Sequence, residues 1–151
     1  MIQAECQNNI KPIDVLIVDD SNSDIRITEE IFKRGKVHIN LHVAKDGIYA
    51  LEHLEKSKRG EATRPDLILL DLNMPRKDGR ELLEEIKSDD DFKSIPVLIM
   101  TVSKAQEDIL RSYNLHANAY VVKPIGLSEF MTAIKSIEDF WFTIVKLPTN
   151  I

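Results

Sequence analysis

Leu67-Ile68-Leu69-Leu70-Asp71-Leu72-Asn73-Met74-Pro75 opens with four apolar residues, closed by an acid and a proline-bounded turn. A run this short, without polar alternation, reads as a strand buried on both faces. Three other runs repeat the pattern. Val15-Leu16-Ile17-Val18 ends in Asp19-Asp20, Val97-Leu98-Ile99-Met100 ends in Thr101, and Ala119-Tyr120-Val121-Val122 is followed by Lys123. In a parallel sheet all four ends share one edge, where open α/β sheets bind ligands. Three carboxylates, a hydroxyl and an ammonium would then face one cleft, a set suited to a divalent cation and a phosphoryl group.

The stretches between the runs read as helices. Ser21 or Ser23 is placed to cap one that turns Ile25, Ile31 and Phe32 inward and stops near Gly35. Ile39-Asn40-Leu41-His42-Val43 alternates like a strand, and Asp46-Gly47 opens a helix burying Ala50, Leu51 and Leu54. Lys56 to Pro65 is a charged connection. Beyond the loop Asn73 to Gly79, a helix packs Leu82, Leu83 and Ile86, and Pro96 introduces the Thr101 strand. Ser103 is expected to cap a helix running to about Ser112. After Pro124, Leu127 to about Phe142 forms the last helix, with Phe130, Ile134, Ile137 and Trp141 at helical spacing. Five β-then-α units in alternation predict an α/β fold, a doubly wound five-stranded parallel sheet in a single domain. The expected boundaries are a flexible N-terminal segment at 1–11, the domain at 12–142 and a tail at 143–151.

Composition narrows the function. The 151 residues suit one domain, and the net charge of −5 removes the broad basic footprint of a nucleic-acid binder. Cys6 is the sole cysteine, so no internal disulfide forms, which fits a reducing compartment. No run approaches the roughly 20 apolar residues of a membrane span, and Met1 to Asn9 lack the features of a secretory signal. A cytoplasmic protein without membrane or nucleic-acid contacts is the expectation.

An isolated acidic pair is most often a solvated helix cap. Following a buried strand, on the edge where Asp71 also emerges, Asp19 and Asp20 acquire a stronger reading. Crowded carboxylates resist ionisation unless a cation intervenes, and Mg²⁺ takes oxygen ligands of this kind. Asp71-Leu72-Asn73 adds a backbone carbonyl two residues after the carboxylate, able to face the same ion. A metal-bound carboxylate beside a phosphoryl donor is a plausible nucleophile. Thr101 and Lys123, each ordinary alone, complete the set by offering a hydrogen bond and a point charge to phosphoryl oxygens. His38, His42, His53 and His116 have no ligand-like spacing, and Lys56, Lys58, Arg59 and Arg64 read as a solvated cluster. A phosphatase of the haloacid dehalogenase type needs a second Asp where Asn73 stands, and no phosphate-binding G-x-x-x-x-G-K-[ST] occurs.

Together these residues resemble a response-regulator receiver domain, the phosphoacceptor module of two-component signalling, over about Ile13 to Phe140. The resemblance rests on the acidic pair, Asp71, Thr101, the aromatic Tyr120 and Lys123-Pro124 in order. Segments from Arg64 to Glu81 and Phe140-Trp141-Phe142 are similar to stand-alone regulators associated with bacterial phytochromes. It implies a flavodoxin-like strand order of 2-1-3-4-5. It implies Asp71 as the phosphoacceptor, and Mg²⁺ held by Asp19, Asp20, Asp71 and the carbonyl of Asn73. Thr101 and Tyr120 would be a switch pair, and Lys123 a sensor of the phosphoryl group. The partner would be a sensor histidine kinase, a phytochrome if the likeness to that subgroup carries over. The chain would be a switch catalysing its own phosphorylation and dephosphorylation, and not a turnover enzyme.

Two further expectations concern the C-terminal part. The Lys123–Pro124 bond is expected to be cis, aiming the amine into the cleft. Phe140, Trp141, Phe142, Ile144, Val145 and Leu147 exceed what one helix end buries against its own sheet. They predict a homodimer through the last strand, last helix and C-terminal extension.

Overall fold

The computed structural model describes residues 11–148. Five strands, β1 (Ile13–Val18), β2 (Ile39–Ala44), β3 (Leu67–Leu70), β4 (Val97–Thr101) and β5 (Ala119–Val122), alternate with five helices. These are α1 (Asn22–Arg34), α2 (Gly47–Lys58), α3 (Gly79–Ser88), α4 (Gln106–Asn114) and α5 (Leu127–Asp139), followed by a π-helical turn, Phe140–Ile144. The strands form one sheet in the order β2-β1-β3-β4-β5, parallel at every pairing, as the resemblance implied. The expected loose segment at 1–11 lies outside the described residues, Lys11 apart, and so does Cys6.

Alternation along each strand assigns the two cores. Leu16 and Val18 of β1, Ile68 and Leu70 of β3, and Val97 and Ile99 of β4 face Ala50 and Leu54 of α2 and Leu82, Leu83 and Ile86 of α3. Val15, Ile17, Leu67, Leu69, Leu98 and Met100 face Ile25, Ile31 and Phe32 of α1 and Phe130, Ile134 and Ile137 of α5. Helices on both faces explain the unbroken apolar runs Val15–Val18 of β1, Leu67–Leu70 of β3 and Val97–Met100 of β4. The Ala119–Val122 run is only half-buried because β5 is an edge strand.

Two local expectations change. Ser103 does not cap α4: the N-cap is Ala105, without a side-chain bond. Ser103 Oγ instead accepts from the Ala105 N–H and donates to Asp108 Oδ2, because the loop after β4 takes two more residues before turning helical. At the C-terminus, the chain folds back over its own domain more than expected. Phe142 and Leu147 are buried, and Trp141 and Val145 are half-buried against the α1–α5 core. The Phe142 ring meets Phe32 edge to face at 5.4 Å between centroids. Phe140 and Ile144 remain exposed.

Candidate functional site

The last rungs of the sheet deliver the site. The Asp19 N–H donates to the Ala44 carbonyl, the Asp71 N–H to Val18 and the Lys123 N–H to Thr101, at 3.0, 2.9 and 2.7 Å. Each side chain thus leaves the sheet where its ladder ends, on the C-terminal edge. The structure brings together the residues expected there. Oxygens of Asp19, Asp20 and Asp71 lie within 4.8 Å of one another. Lys123 Nζ donates to Asp19 Oδ2 at 2.7 Å and to Asp71 Oδ2 at 3.3 Å. Thr101 is fully buried, and its Oγ1 accepts from Asn73 Nδ2 at 3.4 Å. The Asn73 N–H donates to Asp71 Oδ1 at 3.2 Å, so Asn73 touches both the strand-three acid and the strand-four hydroxyl.

The Lys123–Pro124 bond is trans, as are all the described peptide bonds, which overturns the expected cis isomer. The ammonium reaches Asp71 because β5 ends on the site edge and the four-carbon side chain spans the remaining gap. No reversal of the backbone is needed.

Three carboxylates, those of Asp19, Asp24 and Asp71, accept from this one ammonium, and the Asp20 carboxylate lies beside those of Asp19 and Asp71. The charge imbalance shows in the two most buried members. Burial pulls the Lys123 ammonium down, but hydrogen bonds to Asp19 and Asp24 and the charges of Asp19 and Asp71 outweigh it, leaving Lys123 firmly protonated. Burial pushes the Asp19 carboxyl up, further than Lys123 and the Ser21 N–H can pull it back, and the Asp71 charge adds to the rise. One cation is too few for this set. An all-oxygen cluster with excess negative charge fits a hard divalent ion such as Mg²⁺.

Sequence reasoning missed several residues that shape the cleft. Asp24, from the first turn of α1, is a third acceptor for Lys123 at 2.9 Å. Its only sequence signal is an acid five positions after Asp19, easily read as a helix-capping residue. Arg76 sits in the loop after β3 with φ of 62°, uncommon for a residue with a side chain. It grips Asp46, the N-cap of α2, and lies over the Tyr49 ring at 4.7 Å. Gly79 opens α3 against the site strand: a Cβ there would stand 2.3 Å from the Asp71 carbonyl oxygen. Finally, Arg80 of α3 donates to Asp108 Oδ1 at 2.7 and 3.0 Å. Tyr120, already expected as a switch residue, donates its hydroxyl to the Ser103 carbonyl at 3.0 Å. A groove of about 530 Å³ lies between α1 and α5 beside Arg34, Lys135 and Asp139 and holds no comparable cluster.

Comparison with known proteins points to the same chemistry. The model of the response regulator receiver domain matches residues 15–135. The chain is 42% identical over 135 residues to response regulator Rcp1 of Synechocystis sp., covering 89% of this chain and 92% of that protein. Among solved structures, the Mn²⁺-bound form of Rcp1 superposes with a TM-score of 0.87 at 40% identity, covering 91% of this chain and 99% of the other. The phosphorylated cyanobacterial phytochrome response regulator RcpA gives the same TM-score and coverage at 41% identity.

Proposed function

The chain belongs to the response regulator receiver family, and from that premise we propose that it accepts a phosphoryl group on Asp71 from the phosphohistidine of a sensor kinase. Receiver domains are phosphoacceptors of two-component signalling and bind Mg²⁺ in their acidic pocket. The observation that best supports the reading is the convergence of Asp19, Asp20 and Asp71 under the Lys123 ammonium.

In this reading Asp19, Asp20, Asp71 and the Asn73 carbonyl hold the ion. When bound, Mg²⁺ supplies positive charge against the carboxylates and the phosphoryl oxygens. An Asp71 carboxylate oxygen forms a bond to phosphorus as the donor's P–N bond breaks. The electron pair leaves on the imidazole nitrogen, which takes a proton. With acetyl phosphate, a P–O bond breaks and acetate leaves. Lys123 pairs with one phosphoryl oxygen, and Thr101, releasing Asn73, donates its hydroxyl to another. Water attacking the same phosphorus later returns Asp71 to its free carboxylate and releases inorganic phosphate. The chain is a switch and not a turnover enzyme.

The output is a change of protein–protein contacts relayed by Thr101 and Tyr120. Thr101 drawn toward the phosphoryl group leaves room for the Tyr120 ring, biasing the loop between β4 and α4. The kinase is of the phytochrome class, in keeping with the phytochrome response regulator among the similar structures. We further propose the 12–142 domain with a 143–151 tail, and a homodimer through β5, α5 and the C-terminal extension. Leu127, Phe140 and Ile144 are exposed on those elements, with Ile125 exposed in the loop between β5 and α5, and they support the dimer. The setting is cytoplasmic, with no membrane or nucleic-acid partner; no described helix is long and apolar enough to cross a membrane.

Intact mass after acetyl phosphate treatment tests the core of this reading. One phosphoryl mass is expected with Mg²⁺, none with EDTA and none on Asp71→Asn protein. Phosphate on the Asp71→Asn variant, or a metal-independent reaction, would sink the assignment.

A further inference from the structure

The bond between Lys123 and Asp24 joins a strand end to the first turn of a helix, 99 positions away in sequence. Asp24 stands three residues after Ser21, the N-cap of α1. An acid at that position of a Ser-x-x-acid sequence ordinarily bends back to the N–H of the capping residue. Here the Ser21 N–H is taken by Asp19 Oδ1 at 2.9 Å. Ser21 Oγ still caps the helix by accepting from the Asp24 N–H at 3.3 Å. The Asp24 carboxylate is therefore not employed by its own helix turn, and it points at Lys123.

Lysine has three N–H donors, and three carboxylates accept from Lys123: Asp19 at 2.7 Å, Asp24 at 2.9 Å and Asp71 at 3.3 Å. Two of the three have a second claim on them. Asp19 and Asp71 belong, with Asp20, to the cluster suited to a divalent ion, and Asp71 is also the proposed phosphoacceptor. Asp24 is outside that cluster. When cation and phosphoryl group draw on Asp19 and Asp71, Asp24 keeps its full charge for the ammonium.

We propose that Asp24 is a positioning residue of the phosphoacceptor site, anchoring Lys123 so that the N–H released by Asp71 faces the incoming phosphoryl oxygen. The inference rests on the reading of Asp71 as phosphoacceptor and deepens it. Asp24 acts on the reaction only through Lys123.

The test compares wild type, Asp24→Ala and Asp24→Asn, with Asp24→Ala also placed in a Lys123→Met background. Acetyl phosphate phosphorylation at saturating Mg²⁺ is followed by intact mass, and Mg²⁺ affinity by calorimetry. The rate constant should fall about tenfold for Asp24→Ala and about threefold for Asp24→Asn, which keeps an oxygen acceptor without its charge. The Kd for Mg²⁺ should stay within about twofold of wild type, and Asp24→Ala should cause no further loss in the Lys123→Met protein. An unchanged rate overturns the inference. So does recovery of the rate at higher Mg²⁺, or an undiminished effect without Lys123. Rates are taken per folded molecule from thermal melts, so a loss confined to the melting temperature also overturns it. Wild-type protein that takes no phosphate on Asp71 removes the phosphoacceptor reading itself, and the inference with it.

Discussion

Tyr120 donates its hydroxyl to the carbonyl oxygen of Ser103 at 3.0 Å, tying the edge strand β5 to the loop that follows β4. The tie continues outward. Ser103 Oγ donates to Asp108 Oδ2 at 2.7 Å, and Arg80 donates to Asp108 Oδ1 from α3. Residues 102–105, next to the buried Thr101, are thus clamped to two helices as well as to the neighbouring strand. Any displacement of Thr101 works against this network.

Tyr120→Phe keeps the ring and removes the clamp. Stability should fall by about 0.5–1.5 kcal/mol, the net worth of one hydrogen bond. Amide exchange at residues 102–105 should accelerate while exchange in β1 and β3 is unchanged. Protection that stays as in wild type would show that the Ser103 bond does not hold the loop.

Asp46 predicts a pH dependence. Its hydrogen bonds to Arg76, foremost, hold the carboxyl below its ordinary 3.8, and the backbone N–H of Tyr49 adds to the effect. A carboxyl lowered by folding contributes stability that is complete above the unfolded value and is lost as pH falls through the folded one. Asp46→Ala should therefore be destabilised at pH 7, losing about 0.5–2 kcal/mol from the α2 cap alone. The gap from wild type should close in acid below pH 3.8 in chemical denaturation. A constant difference across that range would assign the loss to packing.

Metal addition should stabilise the folded protein. Magnesium at a hundredfold its Kd contributes about 2.7 kcal/mol if it binds only the native state. Asp20 is exposed, so Asp20→Asn should leave the metal-free protein within about 0.5 kcal/mol of wild type. The Mg²⁺-dependent rise in melting temperature should disappear. A full rise in the variant would place the ion elsewhere.

Phe142 and Ile144, two residues apart, should report opposite things. Phe142 is buried against Phe32, and Phe142→Ala should cost about 3–5 kcal/mol. Ile144 is 72% exposed, so Ile144→Ser should leave folding within about 0.5 kcal/mol. It should weaken self-association in sedimentation across micromolar concentrations. A wild-type protein that stays monomeric, with or without phosphate, rules the dimer out.

The strand ends were readable because each carries its residue at the close of an apolar run, and parallel topology puts all such ends on one edge. Asp19, Asp71, Thr101 and Lys123 meet in the structure as their positions implied. The helices were readable for the same reason of periodicity, with Leu82, Leu83 and Ile86 buried as spaced. Loop detail was less accessible. Ser103 looks like a helix cap in one dimension, yet its hydroxyl serves Asp108, because the cap position depends on where the loop turns. The isomer of the Lys123–Pro124 bond was misread by asking the backbone to do what the lysine side chain does alone.

By itself the sequence determined the order of strands and helices, the two-sided burial of β1, β3 and β4, and which acids, hydroxyl and ammonium reach the C-terminal edge. These follow from local periodicity and chain direction. Only the tertiary structure decided that Asp24 leaves its helix cap for Lys123, that Arg76 crosses to Asp46, and that Phe142 and Leu147 turn back onto the α1–α5 core. Such contacts depend on where charged and aromatic side chains from distant segments find partners after the sheet has formed. No spacing along the chain encodes that distance.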